Sequence, residues 1–159
     1  MIKTYNRQVD QAHGLRQMFQ SRVLRFIPVL SNPEVMYGGV VLERLCAAYA
    51  GFGLNILVVD ASERSRQPSE LVEFDLREGI EELSDQVQYL AARGLPLKHV
   101  DVKGCSDSFI DALADAAPHV DVVLLHASAS ELVRVLGRRA HGFNMRPLLF
   151  TDERPEGLT

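Results

Sequence analysis

Residues 25–60 read RFIPVLSNPEVMYGGVVLERLCAAYAGFGLNILVVD. An apolar run, FIPVL at 26–30, leads into a loop, NPEVMYGG, and then into a segment with helical periodicity. There Val41, Leu45 and Tyr49 recur at four-residue spacing beside Leu42 and Cys46, which makes one apolar helical face. The second run, NILVVD at 55–60, is almost continuous in branched residues, the pattern of a strand buried on both faces of a parallel sheet. The stretch therefore predicts strand, loop, helix, strand.

The same alternation continues along the chain. DVVLLH at 121–126 and RPLLF at 146–150 read as further buried strands, and KHVDV at 98–102 as a weaker one. Between them, residues 69–92 place Leu76, Ile80, Leu83, Val87 and Leu90 at helical spacing, with Glu and Arg on the other side. Residues 106–117 and 130–140 predict two more helices. Strands and helices alternating at these lengths give an α/β domain, a mostly parallel sheet with helices on both faces and right-handed crossovers. Pro28 falls inside the first strand, where it removes a ladder donor, so a local bulge is expected there. No internal repeat or low-complexity segment interrupts the pattern.

Composition narrows the function classes. The 159 residues are 47% hydrophobic, enough for a proper core. A formal net charge of −4 argues against non-specific nucleic-acid binding, which needs a basic face. The densest basic cluster, Arg134, Arg138 and Arg139, lies near the end of a predicted helix, where it complements the helix dipole. Cys46 and Cys105 are far apart and form no C-x-x-C, so neither a disulfide framework nor a zinc site is signalled; Cys46 reads as a small core residue. The N-terminus has no apolar signal-peptide core, and no apolar run approaches the roughly 18 residues of a membrane span. A soluble, cytoplasmic protein without a membrane segment is the expectation.

Few residues invite a catalytic role. His126 stands at the carboxyl end of a predicted parallel strand, where α/β folds place their sites, yet no nucleophile or carboxylate is fixed beside it by sequence. It reads as a hydrogen-bonded polar residue. Ser128 and Ser130 read as turn and N-cap residues of the helix that follows. His13, His99, His119 and His141 have no metal-ligand spacing and read as surface residues. No cofactor or metal is called for. On a helix, Ala12, Leu15 and Phe19 form an apolar stripe, with Gln11 and Met18 at its edge and Arg16 on its flank. Asp10 faces away as an early-turn acid. The stripe either docks on its own domain or binds a partner.

Several of these stretches resemble one family. Residues 25–60 have the frame of the opening strand, P-loop, helix and strand of MinD/ParA-type ATPases, whose loop normally reads like GKGGVGKT. DQAHGLR at 10–16 fits the DQAxxLR signature of the FlhG (FleN) regulators of flagellar number and placement. HVDVVLLHASAS resembles their switch strand, and RPLLFTDERPEGLT the strand and loop after it. The resemblance covers residues 9–62 and 119–159 well and the middle loosely. It implies a truncated MinD/ParA-like P-loop fold, with a partner-binding segment at 1–22 and the α/β domain at 23–159.

The departures from that pattern agree with one another. The family's signature Lys falls on Pro33, its phosphate-binding Lys on Gly38 and its magnesium-binding Thr on Gly39. The second acid of one switch is replaced by Ser62 and the metal-facing Asp of the other by His126, while Asp60 survives. A phosphate site needs backbone N–H groups and cations aimed at phosphate oxygens, so the resemblance implies a pseudo-ATPase. It implies further that residues 7–20 engage a flagellar GTPase of the FlhF type and stimulate it, Gln11 approaching the partner's nucleotide while Leu15 and Phe19 anchor the helix. The chain stops at Thr159, where the family's next helix would begin, so its later strands and C-terminal membrane helix are expected to be absent. The rival readings are an ATP-binding regulator with an unorthodox loop and a non-flagellar interaction module of the same fold.

Overall fold

The computed structural model describes residues 24–31, 38–104, 106–136 and 146–151. Six strands form one sheet: β1 Arg25–Ser31, β2 Ile56–Asp60, β3 Ile80–Glu82, β4 Val87–Ala91, β5 Val122–Ala127 and β6 Leu148–Phe150. Their order across the sheet is β3-β4-β2-β5-β1-β6, and every neighbouring pair is parallel except β3 with β4. The expected α/β architecture holds, and the four strands anticipated from apolar runs all lie parallel within it. β6 is shorter than the run that predicted it.

Burial on both faces explains those runs. Ile56 and Val58 of β2 and Val122 and Leu124 of β5 point to one side, where helix α1, Gly38–Gly51, packs Leu42 and Cys46 onto them. Leu57, Val59, Val123 and Leu125 point to the other side, as the period of two in a strand requires. There they meet Phe109, Ile110 and Leu113, together with Leu132 and Val135. The first three belong to the helix Asp107–Ala116 and the last two to Ala129–Leu136. Cys46 is a core residue, as its apolar face implied.

The region 69–92 is not the long amphipathic helix its spacing suggested. It holds a short helix α2, Glu70–Phe74, a 3-10 turn at Leu76–Gly79, strand β3, a turn and strand β4. Asp75 breaks the helix: its backbone N–H closes α2 on the Leu71 carbonyl, and its carboxylate accepts from the Arg77 N–H to start the next turn. Ser84 then makes the hairpin, its hydroxyl accepting from the Val87 N–H at 3.2 Å. Leu76, Ile80 and Leu90 still pack on one core cluster, Ile80 and Leu90 as direct partners across the antiparallel ladder, whereas Val87 packs on the other face of the sheet and Leu83 is exposed. The exposed Glu81 and Glu82 put charge on the open edge of the sheet.

Two further expectations are corrected. Residues 98–102 are not a strand. Gly94, at φ 75, caps the short helix α3, Leu95–Lys98, which buries Leu95 and Pro96, and the chain beyond it turns with Val102 fully exposed. Pro28 makes no bulge, since β1 pairs one-to-one with β5 from Arg25 to Leu30. The Arg25 N–H donates to the Asp121 carbonyl, on the β5 side, so alternation points residue 28 toward β6. Pairing with β6 runs only from Val29 to Ser31. The missing N–H of Pro28 therefore lies beyond the end of that ladder, and no strand bond is lost. The helices Asp107–Ala116 and Ala129–Leu136 become α4 and α5, close to where periodicity placed them.

Candidate functional site at the carboxyl ends of the parallel strands

The order of strands brings β1, β5 and β2 side by side, with His126 opposite Val29 on one flank and Asp60 on the other. Their carboxyl ends and the first turn of α1 thus share one edge, the place where open α/β sheets build sites. Gly38 and Gly39 are the first two residues of α1; Gly38 is buried and Gly39 exposed, with nothing near the place a Cβ would take. Pro33 lies outside the described residues. So do Asp10, Gln11, Ala12, Leu15, Arg16 and Phe19, along with Arg138, Arg139, Cys105, His13 and His141.

The centre of the edge is a bonded cluster. Asp60 Oδ1 lies 3.1 Å from His126 Nδ1 and accepts from the Ser62 N–H at 3.1 Å, while the Tyr89 hydroxyl donates to Oδ2 at 3.4 Å. An ionised carboxylate only accepts, so the proton in the first contact sits on Nδ1 of the imidazole. Burial works to raise the Asp60 carboxyl, but hydrogen bonds from His126 and Ser62 outweigh it and hold its pKa below the ordinary value. Burial also raises the Tyr89 phenol, eased by a hydrogen bond to Ser65 and reinforced by the Asp60 charge. The His126 ring is buried and stacks on Phe150, with centroids 6.4 Å apart.

The backbone fixes this cluster as firmly as the side chains do. The Ala61 N–H donates to the His126 carbonyl at 2.7 Å, and the Ala92 N–H donates to the Asp60 carbonyl at 2.8 Å. Asp60 is therefore gripped between β5 and β4. Beside it, Ser128 caps α5: its hydroxyl and N–H both reach Glu131 Oε2, at 3.0 and 3.3 Å, and the hydroxyl accepts from the Glu131 N–H. That is a capping box, which accounts for Ser128 as an N-cap residue and for the burial of Glu131.

Asp60, Ser62 and His126 are thus brought together, as three of the six positions read against a nucleotide site. Tyr89 and Ser65 were not anticipated. Tyr89 sat inside the segment read as a helix, and only its place on β4, one strand from Asp60, brings its hydroxyl to the carboxylate. His99 is also no simple surface residue. It is half-buried against Phe109, with ring centroids 5.4 Å apart, and that burial lowers its pKa. His119 is exposed, as expected.

Among the described residues, no group of three or more His, Cys, Asp or Glu side chains is placed to hold a metal ion. Nor is any helix there long and apolar enough to cross a membrane. A shallow cavity of about 190 Å³ opens at the opposite, amino end of the sheet, where Asn55, Gln86 and His119 contribute to its lining. Its polar groups already hold the loops together, Asn55 donating to the His119 carbonyl and Gln86 to the Leu54 carbonyl. Compared with known proteins, the chain matches no family model and no curated protein.

Proposed function

We propose that this chain is a non-catalytic relative of the MinD/ParA-type ATPases, of the FlhG kind, that acts in flagellar placement or number control through protein–protein contact. The observation that carries the proposal is the state of Asp60. The acid that matches the family's pattern is spent on His126, Ser62 and Tyr89. An imidazole stands where the resemblance expects a metal-facing carboxylate, and it is already committed to that acid. Glycines occupy the positions matched to the phosphate-binding Lys and the magnesium-binding Thr, at the start of α1. A helix N-terminus still favours an anion, but by itself it lacks the cation and metal ligands on which phosphoryl transfer depends. The scaffold's remaining use is to present a surface, and the DQAHGLR segment supplies a partner-binding element with a defined apolar stripe.

The test uses a peptide of residues 1–20 and a flagellar GTPase of the FlhF type. The peptide raises GTP hydrolysis; Gln11→Ala loses the stimulation with binding largely kept, whereas Leu15→Ala or Phe19→Ala weakens binding itself. Truncating an aromatic anchor of this kind costs about 2 kcal/mol or more at an interface. Equal stimulation by the wild-type peptide and a Gln11→Ala/Arg16→Ala peptide would defeat the reading.

A further inference from the structure

Helix α2 presents an unusual surface. Leu71 and Phe74, one helical turn apart, are 66% and 90% exposed, while Val72 between them is buried in the core. The surrounding chain is strongly acidic: residues 67–85 carry seven carboxylates and one arginine. Of these acids, Glu73 is engaged by Lys98 and Glu81 by Arg66, and Asp75 lies near Arg77. Two exposed apolar side chains a turn apart, on a stretch of chain rich in carboxylates, match a helix that has an apolar stripe and basic flanks.

The chain itself contains such a segment. Residues 1–23 carry four basic side chains and one acidic one, and Ala12, Leu15 and Phe19 recur at helical spacing. We infer that this N-terminal segment docks, within the same molecule, on the acidic and apolar face of α2. Position favours it, because Leu24, where the segment joins the domain, packs on the same core cluster as Val72 of α2 and Leu76 after it. Reach allows it. The stretch from Phe19 to Leu24 spans up to about 17 Å, and a helix over residues 8–19 adds about 18 Å. Four strand spacings, the whole distance from β1 to β3, amount to only about 19 Å. Tethering also raises the local concentration into the mM range, so a weak contact suffices. Docking covers the stripe and competes with any outside partner that uses it, a consequence that rests on the function proposed above.

Hydrogen–deuterium exchange on the full chain at low ionic strength tests the contact. Residues 8–20 are protected about tenfold or more over the same sequence as a free peptide, and the protection does not change on dilution. In a Leu71→Glu/Phe74→Glu variant they return to free-peptide rates, while exchange in β2 and β5 is unaltered and reports an intact fold. About 1 M salt, where the Debye length is about 3 Å, weakens the protection in the wild type. Free-peptide rates in the wild-type chain overturn the inference, as does protection that survives the double variant. Protection that falls on dilution also overturns it, since the segment of a second copy would then be the occupant. The GTPase assay uses an isolated peptide without the α2 face, so either experiment can fail while the other stands.

Discussion

Replacing Asp60 with alanine removes the acceptor shared by the His126 imidazole, the Ser62 N–H and the Tyr89 hydroxyl. Losing these bonds at a partly buried site costs about 1–3 kcal/mol, read as a lower urea midpoint at neutral pH. The same residue shapes the acid limb of stability. Its folded pKa is depressed, so its contribution is fully present above the unfolded value, about 3.9, and is lost as pH falls through the folded value. Asp60→Asn lacks that dependence. Between about pH 6 and pH 3 its urea midpoint falls less steeply than that of the wild type. Equal slopes would show that Asp60 titrates as an ordinary carboxyl. Of this cluster, Asp60 and His126 could be singled out in the sequence, because each ends an apolar run. Their contact could not, since 66 residues separate them and only the shared register of β2 and β5 joins them.

Among the elements, the stretch from α2 to β4 turns on Gly79. A Cβ there would stand 2.8 Å from Leu90 Cδ1 and from Val72 Cγ2, both side chains buried in the core. Leu90 can swing the tip of its side chain, but β-branched Val72 has little freedom to give way. Gly79→Ala therefore destabilises the protein by about 1–3 kcal/mol through overpacking, and thermal or urea unfolding measures it. An unchanged midpoint would mean that the 3-10 turn shifts at no cost. This stretch is also where periodicity misled. Apolar residues at 76, 80, 83, 87 and 90 satisfy a helical repeat, yet Asp75, Gly79 and Ser84 each carry a local bond or close contact that a helix cannot use. Leu76, Ile80 and Leu90 bury on one face of the sheet, Val87 packs on the other and Leu83 is exposed, so the helical spacing of the five does not mark a single buried side.

For the whole molecule, the proposed loss of the nucleotide site has a direct consequence. Calorimetry detects no binding of ATP or ADP, with or without magnesium. A micromolar dissociation constant would require about 8 kcal/mol; on the proposed reading Pro33, Gly38 and Gly39 stand in place of the groups that supply most of it, and Asp60 is already bonded within the protein. Heat release fitting such an affinity would return the chain to the ATP-binding class. The sheet needs no ligand to hold it, because both core clusters are closed by side chains of the protein itself.

What the sequence by itself determined is the α/β class, β1, β2, β5 and β6, and the helices α1, α4 and α5. These are continuous apolar or strongly periodic runs, whose need for burial does not depend on their neighbours. The tertiary structure alone decided the strand order, the antiparallel edge strand β3, the tolerance of Pro28 and the bonded set around Asp60. Each of these depends on which strand lies beside which. Pro28 is harmless because the β6 ladder begins one residue later, and Tyr89 reaches Asp60 because β4 is the neighbour of β2. Local pattern records what must be buried, and only the packed sheet decides against what.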